Sequence, residues 1–153
     1  MTPRAEIVRA SAADAEELAA VEAASFAVPW SARELAQTLA SPFALALRAV
    51  RAGECVGYLC ATALLGEAEV LRVAVLPTAR RQGIARALLR TFAENVPANV
   101  IFLEVRASNT AARALYASEG FSETGRRKNY YEKPAEDAVC MRLDRQKVTE
   151  CGF

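Results

Sequence analysis

The sequence of 153 residues predicts one α/β domain with a mixed β-sheet and helices packed against it. Three observations predict this fold class. Apolar residues make up 53% of the chain, enough for a core that needs no disulfide or metal to hold it. Strand-like apolar runs alternate with segments of helical periodicity. With no internal repeat or linker, we expect a single domain over residues 1–145 and a polar, flexible tail over residues 146–153.

The first third of the chain predicts one strand followed by two helices. Glu6–Arg9 is the strand, and Ser11 and Asp14 have the spacing of a capping box that starts the first helix. The segment FAVPW breaks that helix, and Ser31 and Glu34 repeat the capping spacing for the second helix. The apolar stripes are expected to consist of Leu18, Val21 and Ala24 in the first helix and of Leu35 and Leu39 in the second. Ser41-Pro42 ends the second helix.

The middle of the chain predicts a three-stranded meander and a third helix. FALALRAV and ECVGYLCATALL form a β-hairpin around Arg51-Ala52-Gly53, and a turn at Gly66-Glu67 leads into EVLRVAV. Pro77 stops that strand. The helix is expected from about Gln82 to Glu94, where apolar residues recur at helical spacing. These residues are Ile84, Leu88 and Phe92, with Ala85 and Leu89 beside them.

The last third predicts a central strand, a short helix and a closing pair of strands. NVIFLEV is continuously apolar, which is typical of a strand that is buried on both faces. A short helical pattern follows and ends at Gly120, and GFSETGRRKNYY and DAVCMRL then read as an antiparallel pair. The expected order of elements is therefore β-α-α-β-β-β-α-β-α-β-β.

Composition excludes several classes of function. A formal net charge of +1 argues against a nucleic-acid-binding surface covering the whole protein, although it leaves a local basic patch open. No direct nucleic acid partner is expected. The chain has no histidine, which removes Ser-His-Asp and Cys-His catalytic groups and zinc sites built on imidazole. Any acid–base chemistry must therefore use carboxylates, tyrosine, cysteine or a bound water.

Cysteine usage and hydropathy favour a reduced cytoplasm. Three of the four cysteines, Cys55, Cys60 and Cys140, lie in apolar strand-like runs, where cysteine serves as a small hydrophobe; the fourth is Cys151. The N-terminal segment lacks the apolar core of a signal peptide, and the run from Cys55 to Leu65 is too short to span a bilayer. We therefore expect a cytoplasmic protein without a membrane partner.

An arginine-rich turn precedes the third helix. In VAVLPTARRQGIARALL a strand is followed by Arg80 and Arg81, by Gly83 and then by the helix, whose first turn carries Arg86. A helix N-terminus offers unpaired N–H groups to an anion, and glycine lets the backbone approach it closely. The spacing alone fits equally well a solvated basic helix start with a glycine for packing.

A second candidate site lies at the joint between the central strand and the fourth helix. LEVRASNTAARALYASEGF places Glu104 at the strand end, Asn109 at the helix start and Tyr116 two turns later on the same helical face. From spacing alone, structural roles are favoured over catalytic ones: Glu104 as a solvated charge paired with Arg106, Asn109 as an N-cap, and Tyr116 as a half-buried aromatic.

These motifs resemble the GNAT superfamily of acetyl-CoA-dependent N-acetyltransferases. Arg80 to Ala85 reads R-R-Q-G-I-A and is similar to the superfamily's Q/R-x-x-G-x-G/A signature, which allows alanine at its last position. The segments PWS, EVRASN, ALY, GF and NYY further resemble the bacterial members that acetylate the N-terminal alanine of a small-subunit ribosomal protein. The turn after Tyr131 departs from the pattern, because it reads EKPA where glycine is common.

The resemblance implies a fold and a set of site residues. The mixed sheet is expected to have helices on both faces and two splayed strands that hold acetyl-CoA, with no metal. Main-chain groups of Val73, Ala74 and Val75 are expected to pair with the pantetheine arm, and Asn109 to hydrogen-bond it. Backbone amides of Arg81, Gln82, Gly83, Ile84, Ala85 and Arg86 are expected to hold the pyrophosphate. Glu104 is implied as the base and Tyr116 as the acid.

For the acceptor, the resemblance implies a protein or peptide N-terminus, most simply that of a ribosomal protein. Aromatic residues suited to flanking an extended peptide are Phe26, Pro29 and Trp30 on one side and Tyr130 and Tyr131 on the other. The Trp30 side chain is equally suited to packing in the hydrophobic core. Glu132, Glu136 and Asp137 cluster where a basic substrate chain would pass. Two alternatives stay open: acetylation of a small amine, such as a polyamine or an antibiotic, and a non-catalytic acetyl-CoA-binding module.

Overall fold

A computed structural model describes residues 4–145, so the tail at 146–153, with Cys151, lies outside the described residues. The predicted order of elements is confirmed. The elements are β1 (Glu6–Ala10), α1 (Ala15–Ser25), α2 (Ala32–Leu39), β2 (Ala44–Arg51), β3 (Glu54–Leu64), β4 (Glu67–Val75), α3 (Ile84–Asn95), β5 (Val100–Arg106), α4 (Thr110–Ser118), β6 (Ser122–Tyr131) and β7 (Glu136–Asp144). Capping boxes at Ser11 and at Ser31 start the first two helical segments, as their spacing predicted.

The seven strands form one mixed sheet in the order β1-β2-β3-β4-β5-β7-β6. β4 and β5 run parallel, whereas the other neighbouring strands in the described chain are antiparallel. The turn between β3 and β4 is Leu65-Gly66, one residue earlier than predicted, and both residues have positive φ angles of 52° and 81°. A two-residue turn with both φ angles positive matches the twist of the flanking strands, which fixes this register.

The helices cover both faces of the sheet, as expected for this fold class. α3 and α4 lie over one face, where the larger apolar core includes Leu88, Phe92, Leu103 and Tyr116. α1 and α2 lie over the other face, with Leu18, Leu35 and Tyr58 in a second, smaller core. In residues 4–145, none of these helices is long and apolar enough to cross a membrane.

The apolar stripe predicted for α1 is wrong at one position. Leu18 and Val21 are buried, but Ala24 is exposed and the carboxylate of Glu22 takes the buried position instead. Residues three and four positions after Leu18 share its face of the helix, whereas a residue six positions later is rotated well away from it. A charged residue therefore lies inside the smaller core, where it requires partners.

We expect the free energy of unfolding to fall as the pH rises above about 9. Burial raises the pKa of Cys55 from 9.0 to about 11 and that of Cys60 from 9.0 to about 12. Between the unfolded and folded pKa values the unfolded chain has lost protons that the folded chain retains, so stability declines with rising pH. Urea unfolding from pH 7 to pH 11 should show a loss on the order of 1–3 kcal/mol per pH unit near the upper end.

The variant Cys60→Ala separates this effect from general alkaline damage. It removes one buried group with a raised pKa, so its stability should decline less steeply than that of the wild type between pH 9 and 11. Parallel declines in the two proteins would assign the alkaline loss to other groups.

Candidate active site

The site is built on a cleft where β4 and β5 diverge. Their parallel pairing runs only from Glu67 with Val100 to Val70 with Leu103, although β4 continues to Val75 and β5 to Arg106. A β-bulge in the β3–β4 ladder leaves Leu71 without a partner immediately after the last pair. A bulge bends its strand, and this one turns β4 away from β5. The expectation of splayed strands is thus confirmed.

The main chain of β4 leaves hydrogen-bonding groups facing the cleft. Leu76 donates its N–H to the Val56 carbonyl of β3 at 2.9 Å. Because ladder bonds alternate along an antiparallel pair, Ala74 bonds towards β3, whereas the N–H and C=O groups of Val73 and Val75 face the opposite side. The Val75 carbonyl there already accepts from Arg80 Nε at 3.1 Å. The cleft therefore presents an unpaired strand edge at Val73 and at the Val75 N–H.

The arginine-rich turn forms the end of the cleft beyond β4. Arg81 and Gly83 have φ angles of 63° and 78°, and Gly83 caps the N-terminus of α3. The first-turn N–H groups of Ile84, Ala85 and Arg86 have no partner within the helix and point out of its end. Gln82 is held by a hydrogen bond from Arg51 to its side-chain oxygen. This arrangement suits a bound phosphate.

The side chain of Arg86 does not join the exposed arginines of this turn. Its guanidinium donates to Ser118 Oγ at 3.1 Å and lies 3.3 Å from a Glu119 carboxylate oxygen at the end of α4. Arg86 is therefore paired with a carboxylate on the neighbouring helix, while 40% of its side chain remains exposed. Arg80 and Arg81 remain exposed.

Glu104 is the first residue of β5 beyond the last β4–β5 pair, so its carboxylate lies where the cleft opens. Glu104 Oε1 is 2.8 Å from Arg127 Nε of β6, and 19% of the Glu104 side chain is exposed. A hydrogen bond to Glu104 raises the pKa of the Tyr130 phenol. The alternative that Glu104 pairs with Arg106 is wrong, because Arg106 donates to Glu136 at 3.2 Å instead.

Tyr116 lies in the larger core below the cleft with 9% of its surface exposed. Its ring packs 5.9 Å from that of Phe121. Burial, with a smaller effect from Tyr131, raises the pKa of Tyr116 to about 12. Burial and the charge of Glu104 likewise raise the pKa of Tyr131 to about 12. Tyr131 thus lies near enough to be influenced by Glu104 and to influence Tyr116, and both phenols stay protonated at neutral pH.

Asn109 caps the N-terminus of α4. Its side-chain oxygen accepts from the Ala112 N–H at 3.2 Å, which is the N-cap arrangement left open by the sequence. The residue is exposed, and its side-chain NH₂ group is a donor that capping does not consume. Capping and binding of a ligand are therefore compatible roles for this one side chain.

The residues predicted to form one aromatic wall of an acceptor groove lie in the connection between α1 and α2. Phe26 and Trp30 are half-buried against the smaller core, and Pro29 between them is exposed. The guanidinium of Arg72 lies between the two rings, 4.4 Å from the centre of Phe26 and 4.6 Å from that of Trp30. Trp30 therefore contributes to the core and to the surface at once.

The residues predicted to form the other aromatic wall lie at the end of β6. The rings of Tyr130 and Tyr131 lie 5.1 Å apart, and Tyr130 is half-exposed. Arg106 stacks 4.5 Å from the Tyr131 ring and donates to the carbonyls of Glu132 and Pro134 in the following turn. Lys133 has a positive φ of 55°, the conformation that glycine commonly supplies in such a turn.

The acidic cluster beside this wall is largely engaged in holding its own turn. Glu136 accepts from Arg106 and from the Ser108 N–H, and Asp137 accepts from the Asn129 N–H at 2.9 Å. Glu132 is exposed. The three carboxylates are therefore not equivalent, and attraction of a basic chain would depend mainly on Glu132.

Three residues of the site were missed in the sequence. Glu22 stands at helical spacing from Leu18 and Val21, and Arg72 is the lone charge within VLRVAV, so each breaks an apolar pattern. A charge at a core position is a signal of a buried pair. Arg127, by contrast, lies in a run of basic residues on an exposed strand, where nothing local marks it as the partner of Glu104.

Comparisons with known proteins fit this geometry. The model of the acetyltransferase (GNAT) family matches residues 15–121. The N-alpha-acetyltransferase RimI of Mycobacterium tuberculosis is 39% identical over 139 residues, which cover 86% of this chain and 87% of that protein. The ribosomal protein bS18-alanine N-acetyltransferase of Escherichia coli strain K12 is 36% identical over 128 residues, which cover 80% and 86% of the two chains.

Solved structures give the same result. The crystal structure of the Escherichia coli ribosomal-protein-S18-alanine N-acetyltransferase superposes with a TM-score of 0.88 at 32% identity, covering 97% of this chain and 99% of that one. Arabidopsis thaliana NAA60, solved in complex with acetyl-CoA, superposes with a TM-score of 0.80 at 18% identity, covering 92% and 99% of the two chains. The second likeness concerns the fold alone.

Proposed function

Since the chain belongs to the acetyltransferase (GNAT) family, we propose that it acetylates the N-terminal alanine of ribosomal protein bS18 with acetyl-CoA as the acetyl donor. Relatives that are named for this activity are similar to this chain over most of its length. A ribosomal substrate places the reaction in the cytoplasm. The observation that carries the proposal is the position of Glu104, whose carboxylate lies at the opening of the cleft and is hydrogen-bonded to Tyr130 of β6.

The cleft has the donors and acceptors that acetyl-CoA requires. The family uses this cosubstrate. The unpaired edge of β4 at Val73 and Val75 would pair with the amides of the pantetheine arm as an added strand does. The N–H groups at the start of α3 would receive the pyrophosphate, and the NH₂ group of Asn109 would donate to the arm. The residues present therefore fit this ligand.

The proposed chemistry is a direct transfer. The amine nitrogen attacks the carbonyl carbon of the thioester, a C–N bond forms and the C–S bond breaks. Glu104, directly or through a water, takes the proton that the amine loses. The Tyr116 phenol donates to the sulfur as negative charge develops there, and its raised pKa keeps the proton in place until then. An α-amino group with a pKa of ~7.7–8.0 needs only a modest base.

Replacing Gly83 by alanine is expected to weaken acetyl-CoA binding. Its φ of 78° strains any L side chain, although no atom lies within 4 Å of an added Cβ. We expect a loss of about 1–2 kcal/mol in stability. Because the first turn of α3 would no longer be presented to the pyrophosphate in the same way, KM for acetyl-CoA should rise on the order of tenfold. Thermal unfolding and steady-state kinetics measure the two effects.

Gly66→Ala is the matched control. Gly66 has a φ of 81° and lies before β4, at the far end of that strand from the arginine-rich turn. An added Cβ would also lie 3.2 Å from Asn99 Nδ2, so this variant should lose at least as much stability as Gly83→Ala and keep the wild-type KM for acetyl-CoA. An equal rise of KM in both variants would assign the effect to lost stability and not to the turn.

The proposed function is tested by CoA release with a panel of acceptors. Short peptides that begin with Ala, Ser, Met or Gly are compared with free polyamines, and each peptide is also tested with its α-amino group blocked. We expect turnover with the peptide that begins with alanine and none with its blocked form. Turnover confined to polyamines would contradict the proposal, and acetyl-CoA binding without any turnover would favour a non-catalytic module.

A further inference from the structure

Glu22 is a fully buried carboxylate that lies outside the proposed chemistry. It is 0% exposed and sits in the smaller core on the inner face of α1. One carboxylate oxygen accepts from the Tyr58 hydroxyl and from Arg72 Nε, the latter at 3.0 Å. The other accepts from Arg72 Nη2 at 3.2 Å and from the Trp30 N–H at 3.2 Å. Both oxygens are thus satisfied, and one of their partners belongs to the α1–α2 connection.

Arg72 continues this network to the rest of the same connection. Its guanidinium is held between the rings of Phe26 and Trp30, and its Nη2 lies 3.5 Å from the Val28 carbonyl. The pair therefore contacts the beginning, the middle and the end of residues 26–30. Arg72 itself follows the bulged Leu71, in the part of β4 that has left β5.

A pair of this kind is poorly explained by stability alone. Removing two charges from water costs about as much as their attraction returns, and apolar residues of similar size often give an equally stable fold. The pair instead fixes the position of residues 26–30, because it connects them to β4, the strand that borders the cleft.

Building on the proposed function, we propose that Glu22 and Arg72 are positioning residues that hold residues 26–30 as the acceptor wall. They act on the acceptor through Phe26 and Trp30, without contacting the reacting atoms. Their loss should therefore weaken binding of the acceptor peptide and leave the acetyl transfer step and acetyl-CoA binding largely intact. That pattern separates them from Glu104 and Tyr116, whose loss should lower kcat.

The first experiment measures steady-state kinetics of Arg72→Met and of the double variant Glu22→Gln/Arg72→Met. We expect KM for the alanine peptide to rise on the order of tenfold in both, with kcat within about threefold of wild type and KM for acetyl-CoA unchanged. The double variant leaves no buried carboxylate unpaired, so it should fold even where the single variant is unstable. A wild-type acceptor KM in a folded double variant would overturn the proposal.

Arg72→Lys and Arg48→Lys complete the set. Lysine keeps the charge at position 72 but loses the planar group that fits between two rings, so it should not restore the acceptor KM. Arg48 joins β2 to α1 through Glu17 at 2.8 Å, away from residues 26–30, and is the matched control. Its variant should keep wild-type kinetics. A rise of acceptor KM in Arg48→Lys equal to that in Arg72→Met would assign the effect to general loosening of α1.

Tryptophan fluorescence tests the wall without using activity. Trp30 is the one tryptophan of the chain, so its emission reports on residues 26–30 alone. Acrylamide should quench it more strongly in the position 72 variants than in wild type or Arg48→Lys. Unchanged quenching in all variants would overturn the positioning role. If the wild-type enzyme turned over no peptide, the proposed function and the predicted loss of acceptor affinity would both be overturned. The quenching experiment would still decide whether Glu22 and Arg72 hold residues 26–30 in place.

Discussion

Tyr116→Phe should lower kcat on the order of 10²-fold or more, with little change in KM for either substrate. The substitution keeps the ring, so its packing against Phe121 in the larger core is retained and only the hydroxyl is lost. Without that donor, the sulfur would leave as an unassisted thiolate. Steady-state kinetics with saturating acetyl-CoA and the alanine peptide measure the effect, and thermal unfolding confirms that the variant is folded.

Tyr131→Phe is the comparison that makes this result specific. Tyr131 is the neighbouring phenol, and its pKa is also raised to about 12. We expect its loss to lower kcat far less than the loss of Tyr116. A larger fall in Tyr131→Phe would transfer the role of the acid to Tyr131, and wild-type kcat in both would mean that neither phenol serves the leaving group.

The pH dependence of kcat offers a second check on the acid. Because burial raises the pKa of Tyr116 to about 12, the phenol holds its proton throughout the range in which the enzyme is stable. The alkaline side of the kcat profile should therefore stay level to about pH 10. A fall centred near pH 8 or 9 that disappears in Tyr116→Phe would show that the phenol titrates much lower than its surroundings indicate.

Glu104→Gln should also lower kcat on the order of 10²-fold at neutral pH. Glutamine has the same shape but cannot accept the proton of the amine. The defect should shrink as the pH rises past the amine's own pKa of ~7.7–8.0, because the nucleophile is then neutral without a base. Rates of wild type and variant from pH 6.5 to pH 9.5 measure this, and a loss that is constant over that range would contradict the role of base.

Two controls isolate the carboxylate of Glu104. Glu69→Gln removes another carboxylate of the groove that Glu104 also lines, a space of about 400 Å³, and should keep wild-type activity. Arg127→Gln removes the ion-pair partner of Glu104, whose side chain is 64% exposed. Because the Arg127 side chain lies mostly in solvent, its removal should leave the variant folded and active. A loss of activity in Arg127→Gln equal to that in Glu104→Gln would assign the effect to the pair.

The sequence predicted the elements because their signals are local. The capping spacings at Ser11 and Ser31 and the helical periodicity of Ile84, Leu88 and Phe92 involve residues within one or two turns of each other. The position of β5 inside the sheet followed from its continuous apolar run. The motifs around Arg80–Ala85 and Glu104–Asn109 located the cleft through their resemblance to a family. Spacing alone left a purely structural role open at each of these positions.

The tertiary structure decided which side chains meet. Glu104 pairs with Arg127 on another strand instead of Arg106, Arg86 turns to Glu119, and Glu22 enters the core where Ala24 was expected. The partners concerned lie 23, 33 and 50 residues apart along the chain, as the numbers of Arg127, Glu119 and Arg72 show. Local propensity carries no information about such pairs. They depend on strand order, on the divergence of β4 from β5 and on the packing of α1, which form only when the whole sheet is assembled.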